Sequence, residues 1–447
     1  MTFYTTGFCE EQPQTTERAP SKVSILPSTG GVNPYATVNE TTDAAADSST
    51  IYQMEVGDSF TGTLNPTGEH DWVRIDLDPG AFVQISMTGG SLSDPFLRLY
   101  DSGGNVVAFN DDFIGLDSQL NYASETGGTF YIDAGSFSDS GAGTYTLDVV
   151  DASYDPLDSL DWGSALGSTH VDYYFAPNGY TADGITSEGF NAYAMQQFAE
   201  ALEIYASYTG LTFAETNNPA DAEFTFIWDT NEMGGGLYGY FNPPGEVNAG
   251  VGAFNGNLLD DVAGGNMDRG GFAFMVLLHE LGHAFGLSHP HDTGGSSTIM
   301  PGVVNSSSTG VHSLNQGIFT TMSYMAGFIE GPTGTVRPGG TELYGSQGGP
   351  MALDLGILQN RYGINPTQNA GNTVFELPTS NLPGTYWEAI SDVGGIDTIV
   401  NPGSGPSTID LNAATLLGNF GGGGFVSAVD GIAGGFTIAS GTVIENP

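Results

Sequence analysis

Residues 279–290 read HELGHAFGLSHP, and this stretch contains three closely spaced histidines: His279, His283 and His289. The residues around them are apolar on almost every side, which predicts a buried helix over 271–285. Residues four apart share one face of a helix, so the first two imidazoles can reach the same ion. Gly286 can adopt a positive φ and turn the chain back, and we expect this turn to bring the third imidazole to the same point.

Three imidazoles in this arrangement predict a Zn²⁺ site with one open coordination position. Zinc lowers the pKa of a bound water from about 15.7 to about 7, which makes hydroxide available at neutral pH. Glu280 directly follows the first histidine and is the candidate general base, because its carboxylate can lie beside the water without binding the metal. The alternative, three histidines buried only as members of a helical core, leaves the glutamate unexplained.

The stretch HELGHAFGLSH matches every fixed position of the pattern H-E-x-x-H-x-x-G-x-x-H and so resembles the metzincin zinc metalloproteases. This resemblance implies a methionine-containing turn downstream, and TMSYM at 321–325 fits it. It also implies that Met322 forms an apolar floor under the zinc and that Tyr324 is a further ligand. Pro290 and the segment MALDLGILQNRYG resemble the serralysin branch, which implies for Tyr324 a second role as a hydrogen-bond donor to the developing oxyanion.

The C-terminal part departs from the serralysin pattern. It contains no G-G-x-G-x-D nonapeptide, so the calcium-binding β-roll of that branch and its C-terminal export signal are not implied. Ca²⁺ stays a candidate second ion for a different reason. Acidic turn residues nearer the N-terminus are either calcium ligands or simply solvated, and these are Asp94, Asp101, Asp111 and Asp112.

The chain is predicted to have several domains, since 447 residues suffice for about two to four. Residues 1–50 are polar and aperiodic, which predicts a disordered leader or propeptide. Residues 51–150 alternate in short runs such as DWVRIDL and GTFYIDA, which predicts an antiparallel β-sandwich and resembles the bacterial pre-peptidase C-terminal domain. A linker over 151–168, an α+β metzincin catalytic domain over 169–365 and a C-terminal β domain over 366–447 are predicted to follow.

The predicted catalytic domain combines a twisted mixed sheet with long helices. Strands are expected in HVDYYFAP, LTFAE, AEFTFIW and GLYGYF, and a helix with Thr186 or Ser187 as its N-cap is expected between the first two. A last helix is expected to begin with Pro350 and to stop at Gly363. An edge strand within 236–254 is expected to bind the substrate by adding a peptide strand. His291, just past the third histidine, is expected to be a surface residue.

Composition excludes some partners. The chain has 51 acidic and 7 basic residues and a net charge of −44, so it lacks the cationic surface that nucleic acids or anionic membranes require. It contains no apolar run long enough to insert into a membrane, and residues 1–50 lack the features of a cleaved signal peptide. Cys9 is the single cysteine and is expected to be a free thiol, with a thiolate that blocks the zinc as the alternative.

Taken together, these features predict a secreted zinc-dependent endopeptidase that leaves the cell without a cleaved N-terminal signal peptide and acts on proteins or peptides. One alternative is a non-catalytic surface or matrix binding protein whose β domains carry the function. Glu280 argues against it, because a structural zinc does not need a base beside it. A second alternative is a precursor that is inhibited by its own leader and processes itself.

Overall fold

The computed structural model describes residues 36–113, 115–124, 126–329 and 339–447. Over these ranges the chain forms two compact units, one ending at Tyr154 and one beginning at Asp155. Most of the predicted leader, including Cys9, lies outside the described residues.

The first unit is a β-sandwich, as predicted, with two five-stranded sheets. Its strands are β1 (Thr37–Asn39), β2 (Gln53–Met54), β3 (Ser59–Leu64), β4 (Asp71–Leu77), β5 (Ala81–Gly89), β6 (Pro95–Asp101), β7 (Val106–Asn110), β8 (Ser118–Ser124), β9 (Gly128–Ser136) and β10 (Gly143–Asp151). The sheet orders are β1-β3-β10-β5-β8 and β2-β4-β9-β6-β7. Neighbouring strands are antiparallel except for the pairs β1 with β3 and β2 with β4. Alternate residues fill the core between the sheets, as Val73, Ile75 and Leu77 do on β4.

The sandwich begins earlier than predicted. Strand β1 pairs in parallel with β3, although it lies inside the predicted leader. Glu40 links the residues after β1 to strand β3, because its carboxylate accepts hydrogen bonds from the backbone N–H groups of Ala44 (3.0 Å) and Thr63 (2.7 Å). The leader prediction is therefore wrong for residues 36–50. Polar contacts of this kind leave no periodic apolar pattern in the sequence.

The second unit contains a mixed five-stranded sheet in the order β14-β11-β15-β17-β16. The strands in this part of the chain are β11 (His170–Phe175), β12 (Thr181–Ala182), β13 (Ile185–Thr186), β14 (Thr212–Glu215), β15 (Phe224–Asp229), β16 (Gly239–Phe241) and β17 (Val251–Asn255). Strand β16 lies at one edge and runs antiparallel to β17, whereas the other neighbouring strands are parallel. The sheet therefore has an edge strand within 236–254, where one was expected.

Three α-helices accompany this sheet: α1 (Ala192–Tyr208), α2 (Phe272–Ala284) and α3 (Ala352–Tyr362). Helix α1 begins later than predicted, because its N-cap is Asn191 and not Thr186 or Ser187. The Asn191 side chain accepts a hydrogen bond from the backbone N–H of Ala194 (2.8 Å). Among the described residues, no helix combines the length and the apolar character that crossing a membrane requires.

The predicted linker is largely an ordered part of the second unit. Residues Pro156–Ser159 form a 3₁₀ turn, and the following Leu160 is fully buried. The carbonyl of Leu160 accepts a hydrogen bond from the N–H of Ser288 (2.8 Å), and the N–H of Trp162 donates to the carbonyl of Gly286 (3.0 Å). The linker prediction is wrong here, because the Asp-, Ser- and Gly-rich segment packs along the turn that follows α2.

Residues 366–447 belong to the same compact unit as the residues before them. Three two-stranded sheets form this region from strands β18 (Val374–Glu376), β19 (Trp387–Ile390), β20 (Thr398–Val400), β21 (Ser407–Thr408), β22 (Ala428–Val429) and β23 (Gly435–Ile438). A small core lies between them: Leu377, Ile390, Ile399, Val429, Phe436, Ile438 and Ile444. Near residue 447, Thr398 and Asn446 form a single bridge. The boundary predicted at residue 365 thus does not separate two compact units.

Candidate metal centre

Helix α2 is buried on every face from Ala273 to Ala284. It ends as predicted at Gly286, whose φ of 85° lies in the left-handed region. There the N–H of Gly286 donates to the carbonyl of His283 (2.9 Å), and the N–H of Leu287 donates to the carbonyl of Gly282 (2.9 Å). These two bonds define a Schellman motif, which reverses the chain directly after the helix.

The reversal brings the three histidines of the motif together. The Nε2 atom of His289 lies 3.0 Å from Nε2 of His279 and 2.9 Å from Nε2 of His283. The three residues are 0%, 6% and 2% exposed for His279, His283 and His289, respectively. Tetrahedral zinc with Zn–N bonds of about 2.0–2.1 Å holds its nitrogens about 3.3 Å apart, so a small outward movement admits the ion.

The outer ring nitrogens fix which tautomer each histidine adopts. Each Nδ1 atom faces an acceptor: the carbonyl of Thr321 for His279 (2.8 Å), the carbonyl of Leu287 for His283 (2.9 Å) and the carboxylate of Asp292 for His289 (3.0 Å). An acceptor oxygen has no proton to give, so Nδ1 donates and the lone pair is on Nε2. Three lone pairs that point at one place would repel one another without a cation between them. The donor set therefore fits Zn²⁺.

Burial keeps these imidazoles neutral. It lowers the pKa of His283, and together with the neighbouring imidazoles it lowers the pKa of His279 and of His289 well below the usual value. The cause is the loss of water around the charged form, which disfavours imidazolium. Neutral imidazole is the form that binds a metal.

Glu280 lies on α2 beside the edge strand β16. It is 1% exposed, and a Cβ atom added to Gly239 of β16 would lie 3.2 Å from the Glu280 Cγ atom. The Glu280 side chain thus contacts strand β16 at Gly239.

Met322 packs against helix α2 and is fully buried. A Cβ atom added to Gly282, which lies between the first two histidines, would be 2.6 Å from the Met322 sulfur. Only glycine at this helical position leaves room for the thioether. Tyr324 lies on the side of the third histidine, with 4.9 Å between the ring centroids of Tyr324 and His289.

Asp354 on α3 is a buried carboxylate that no sequence motif indicates. It accepts hydrogen bonds from the hydroxyl of Thr320 (2.6 Å), from the N–H and hydroxyl of Thr321 (2.7 and 2.8 Å) and from the N–H of Met351 (2.9 Å). The bond to Met351 makes that residue the N-cap of α3, so the helix starts at Ala352 and not at Pro350. Since the carbonyl of Thr321 accepts from His279, Asp354 is linked to His279 through the turn that contains Met322.

We expect Asp354→Asn to destabilise the second unit. The amide NH₂ cannot accept hydrogen bonds, so buried donors of Thr320 or Thr321 lose their partner, each at a cost of about 1–3 kcal/mol in the free energy of unfolding. Denaturant unfolding monitored by tryptophan fluorescence measures this loss. Glu203→Gln, on the exposed face of α1, is the matched control. Equal stability of the two variants would contradict the supporting role of Asp354.

Two expectations about other residues need correction. His291 is not a surface residue, because its side chain is only 10% exposed and its ring stacks on that of His289 at 4.8 Å. The four aspartates offered as calcium ligands do not form a common group among the described residues. Asp101, for example, accepts hydrogen bonds from its own turn, from the N–H groups of Gly103 (2.9 Å) and Asn105 (2.8 Å).

Comparison with known proteins shows homology to bacterial metallopeptidases, although no family model matches the sequence. A serralysin from Photorhabdus luminescens is 28% identical over 272 residues, which are 58% of this chain and 51% of that protein. The metallopeptidase AprA from Pseudomonas marginalis is 27% identical over 370 residues, which are 80% of this chain and 68% of AprA. The chain spans about half the length of that serralysin and about two thirds of AprA.

Among solved structures, the pre-peptidase C-terminal domain of a collagenase from Bacillus anthracis is similar to part of the chain. The two are 16% identical, and the match covers 27% of this chain and 99% of that domain, with a TM-score of 0.20.

Proposed function

We propose that the chain is an extracellular zinc-dependent endopeptidase. The proposal rests mainly on the Nε2 atoms of three neutral histidines, which lie close together. The buried Glu280 lies on helix α2, which also carries two of these histidines. Homology to serralysin-type metallopeptidases supports it. The rival function, a non-catalytic binding protein, gives no reason for a buried carboxylate next to a metal ligand.

In this proposal His279, His283 and His289 hold the Zn²⁺. Bound zinc supplies Lewis acidity towards the substrate carbonyl and lowers the pKa of water to about 7. Glu280 takes up a proton during attack and returns it to the leaving nitrogen, as a general base and then a general acid. Tyr324 is proposed to be a further ligand of the ion before the substrate binds, and then to donate a hydrogen bond to the oxygen on which negative charge develops.

The substrate backbone is proposed to pair with strand β16. This strand has β17 on one side and forms the edge of the sheet on the other. A peptide added along this edge runs past Gly239 and thus past Glu280, and its backbone is recognised without regard to sequence. This arrangement suits an enzyme that cleaves within unfolded or extended protein segments.

Chelation tests the function. Purified protein is expected to cleave β-casein, and 1,10-phenanthroline is expected to abolish cleavage, because the imidazoles alone do not activate water. Adding back zinc should restore the rate. Cleavage that persists after metal removal would contradict a zinc peptidase, and a zinc-loaded protein that cleaves no casein would favour the binding-protein alternative.

Calcium is proposed to bind the sandwich at a place other than the predicted one. Carboxylates of Glu40, Asp43 and Asp71 approach one another closely enough to share a cation. Asp71 is fully buried, one of its oxygens accepts from the Tyr145 hydroxyl (2.6 Å), and its other oxygen has no hydrogen-bond partner among the described residues. Oxygen ligands with this much negative charge suit Ca²⁺.

The pH dependence of stability tests the calcium site. Burial raises the pKa of Asp71 to about 7, from 3.8 in an exposed carboxyl. Between these values the folded state binds more protons, so without a cation the free energy of unfolding falls as the pH rises through this window. Calcium is therefore expected to raise the melting temperature of the sandwich at pH 7.5 and to have little effect at pH 4. Asp71→Asn should abolish the calcium effect, and the control Asp112→Asn should keep it. A calcium effect that survives Asp71→Asn would rule out this site.

A further inference from the structure

A fourth imidazole, that of His291, lies beside the three histidines of the motif, in contact with the ring of His289. One group of side chains that could hold an ion comprises the three motif histidines, and a second, overlapping group comprises His289, His291 and Asp292. The Nε2 atom of His291 is 3.6 Å from the Asp292 carboxylate, which is too long for a hydrogen bond. Its buried Nδ1 atom has no hydrogen-bond partner within the described ranges. Hydrogen bonding therefore does not explain why this side chain is packed inside the centre.

Ring contacts do explain its position. The His291 ring is nearly parallel to that of His289, with centroids 4.8 Å apart and 17° between the ring planes. The same ring is tilted against that of Tyr324, with centroids 4.3 Å apart and 58° between the planes. His289 and Tyr324 also contact each other directly, at 4.9 Å and 71°. The three rings form one cluster in which His291 joins the phenol to a metal ligand.

This cluster restricts where the Tyr324 ring can go. Of the three imidazole rings in contact with Tyr324, that of His291 is the nearest, since His289 is at 4.9 Å and His279 at 5.7 Å. Contacts between such rings shift the population of one side-chain position by about two- to tenfold. His291 lies outside the group that the three motif histidines form, so its ring can influence the phenol without altering coordination by those three.

We propose that His291 is a positioning residue that holds the phenol of Tyr324 at the metal centre by ring packing. The proposal rests on the proposed function, in which Tyr324 binds the metal and then the developing oxyanion. It assigns the effect to the flat ring of His291 and not to its nitrogens. His291→Phe should therefore preserve it, and His291→Ala and His291→Leu should lose it.

The test uses the full-length protein loaded with Cu²⁺, because a phenolate bound to Cu²⁺ gives a charge-transfer absorption band in the visible range. The band is expected in the wild type and in His291→Phe, about two- to tenfold weaker in His291→Ala and His291→Leu, and absent in Tyr324→Phe. With zinc, kcat for a peptide substrate should fall by a similar factor in the Ala and Leu variants, with KM unchanged. Zinc affinity should stay within a few-fold of the wild type in each His291 variant.

Three results would overturn the proposal. The first is a full band and full kcat in the Leu variant, which would show that no positioning occurs. The second is a Phe variant that behaves like Leu, which would assign the effect to a ring nitrogen. The third is a wild-type copper protein without the band, since there would then be no bound phenol to position. Normal bands in a protein that cleaves no peptide would instead contradict the proposed function and leave the positioning role intact.

Discussion

Glu280→Gln is expected to lower the rate of peptide cleavage by about 10²- to 10⁴-fold, the usual contribution of a positioned general base. Glutamine keeps the shape of the side chain but cannot take up a proton. Glu280 is 1% exposed and adjoins the edge strand β16, so no solvent carboxylate can substitute for it. The loss should appear mainly in kcat, because the side chain acts on the transition state and does not anchor the peptide.

The metal content separates this effect from simple loss of the site. Zinc should stay bound in Glu280→Gln, since the three imidazoles supply the ligands. Glu203→Gln, which changes an exposed carboxylate on α1, is the control for the change of charge and should keep full activity. Undiminished cleavage by Glu280→Gln would contradict the proposed role of Glu280 as the general base.

His289→Ala is expected to have the largest effect on metal binding. It removes the nitrogen that lies within 3.0 Å of both other imidazole nitrogens, and only two imidazoles, on one helical turn, are then left to hold the ion. Asp292→Asn weakens only the outer hydrogen bond of the same histidine and should cost about 10- to 100-fold in zinc affinity. His289→Ala should cost more than that.

Competition with a chromophoric chelator measures both affinities. His170→Ala is a suitable control, because the His170 side chain is 58% exposed and lies on strand β11. Zinc affinity in this control should equal that of the wild type. An unchanged affinity in His289→Ala would mean that the third imidazole of the motif is not a ligand.

Features with a regular sequence pattern could be predicted well. The alternation in β4 revealed the sandwich, because one face of each strand must be apolar. The apolar run up to His283, followed by Gly286, indicated both helix α2 and the turn after it, since few residues adopt a φ of 85° without strain. The site was predictable because its residues lie within one short segment.

The remaining features depend on contacts between distant residues. Asp354 is a single acidic residue in an apolar helix, and its partners Thr320 and Thr321 lie more than thirty residues earlier. The sequence around Asp354 does not indicate that these two threonines are its partners. The prediction that His291 is a surface residue is wrong for the same reason, because its burial depends on contact with the ring of Tyr324. Single polar residues carry no periodicity, so their burial follows only from the tertiary structure.

The central claim is that three imidazoles converge on one zinc ion. Anomalous X-ray diffraction on crystals of the zinc-loaded protein, measured on both sides of the zinc absorption edge, tests this claim most directly. One strong peak is expected about 2.0–2.1 Å from the Nε2 atoms of His279, His283 and His289. A zinc peak elsewhere, or a His289 ring directed away from the other two, would contradict it.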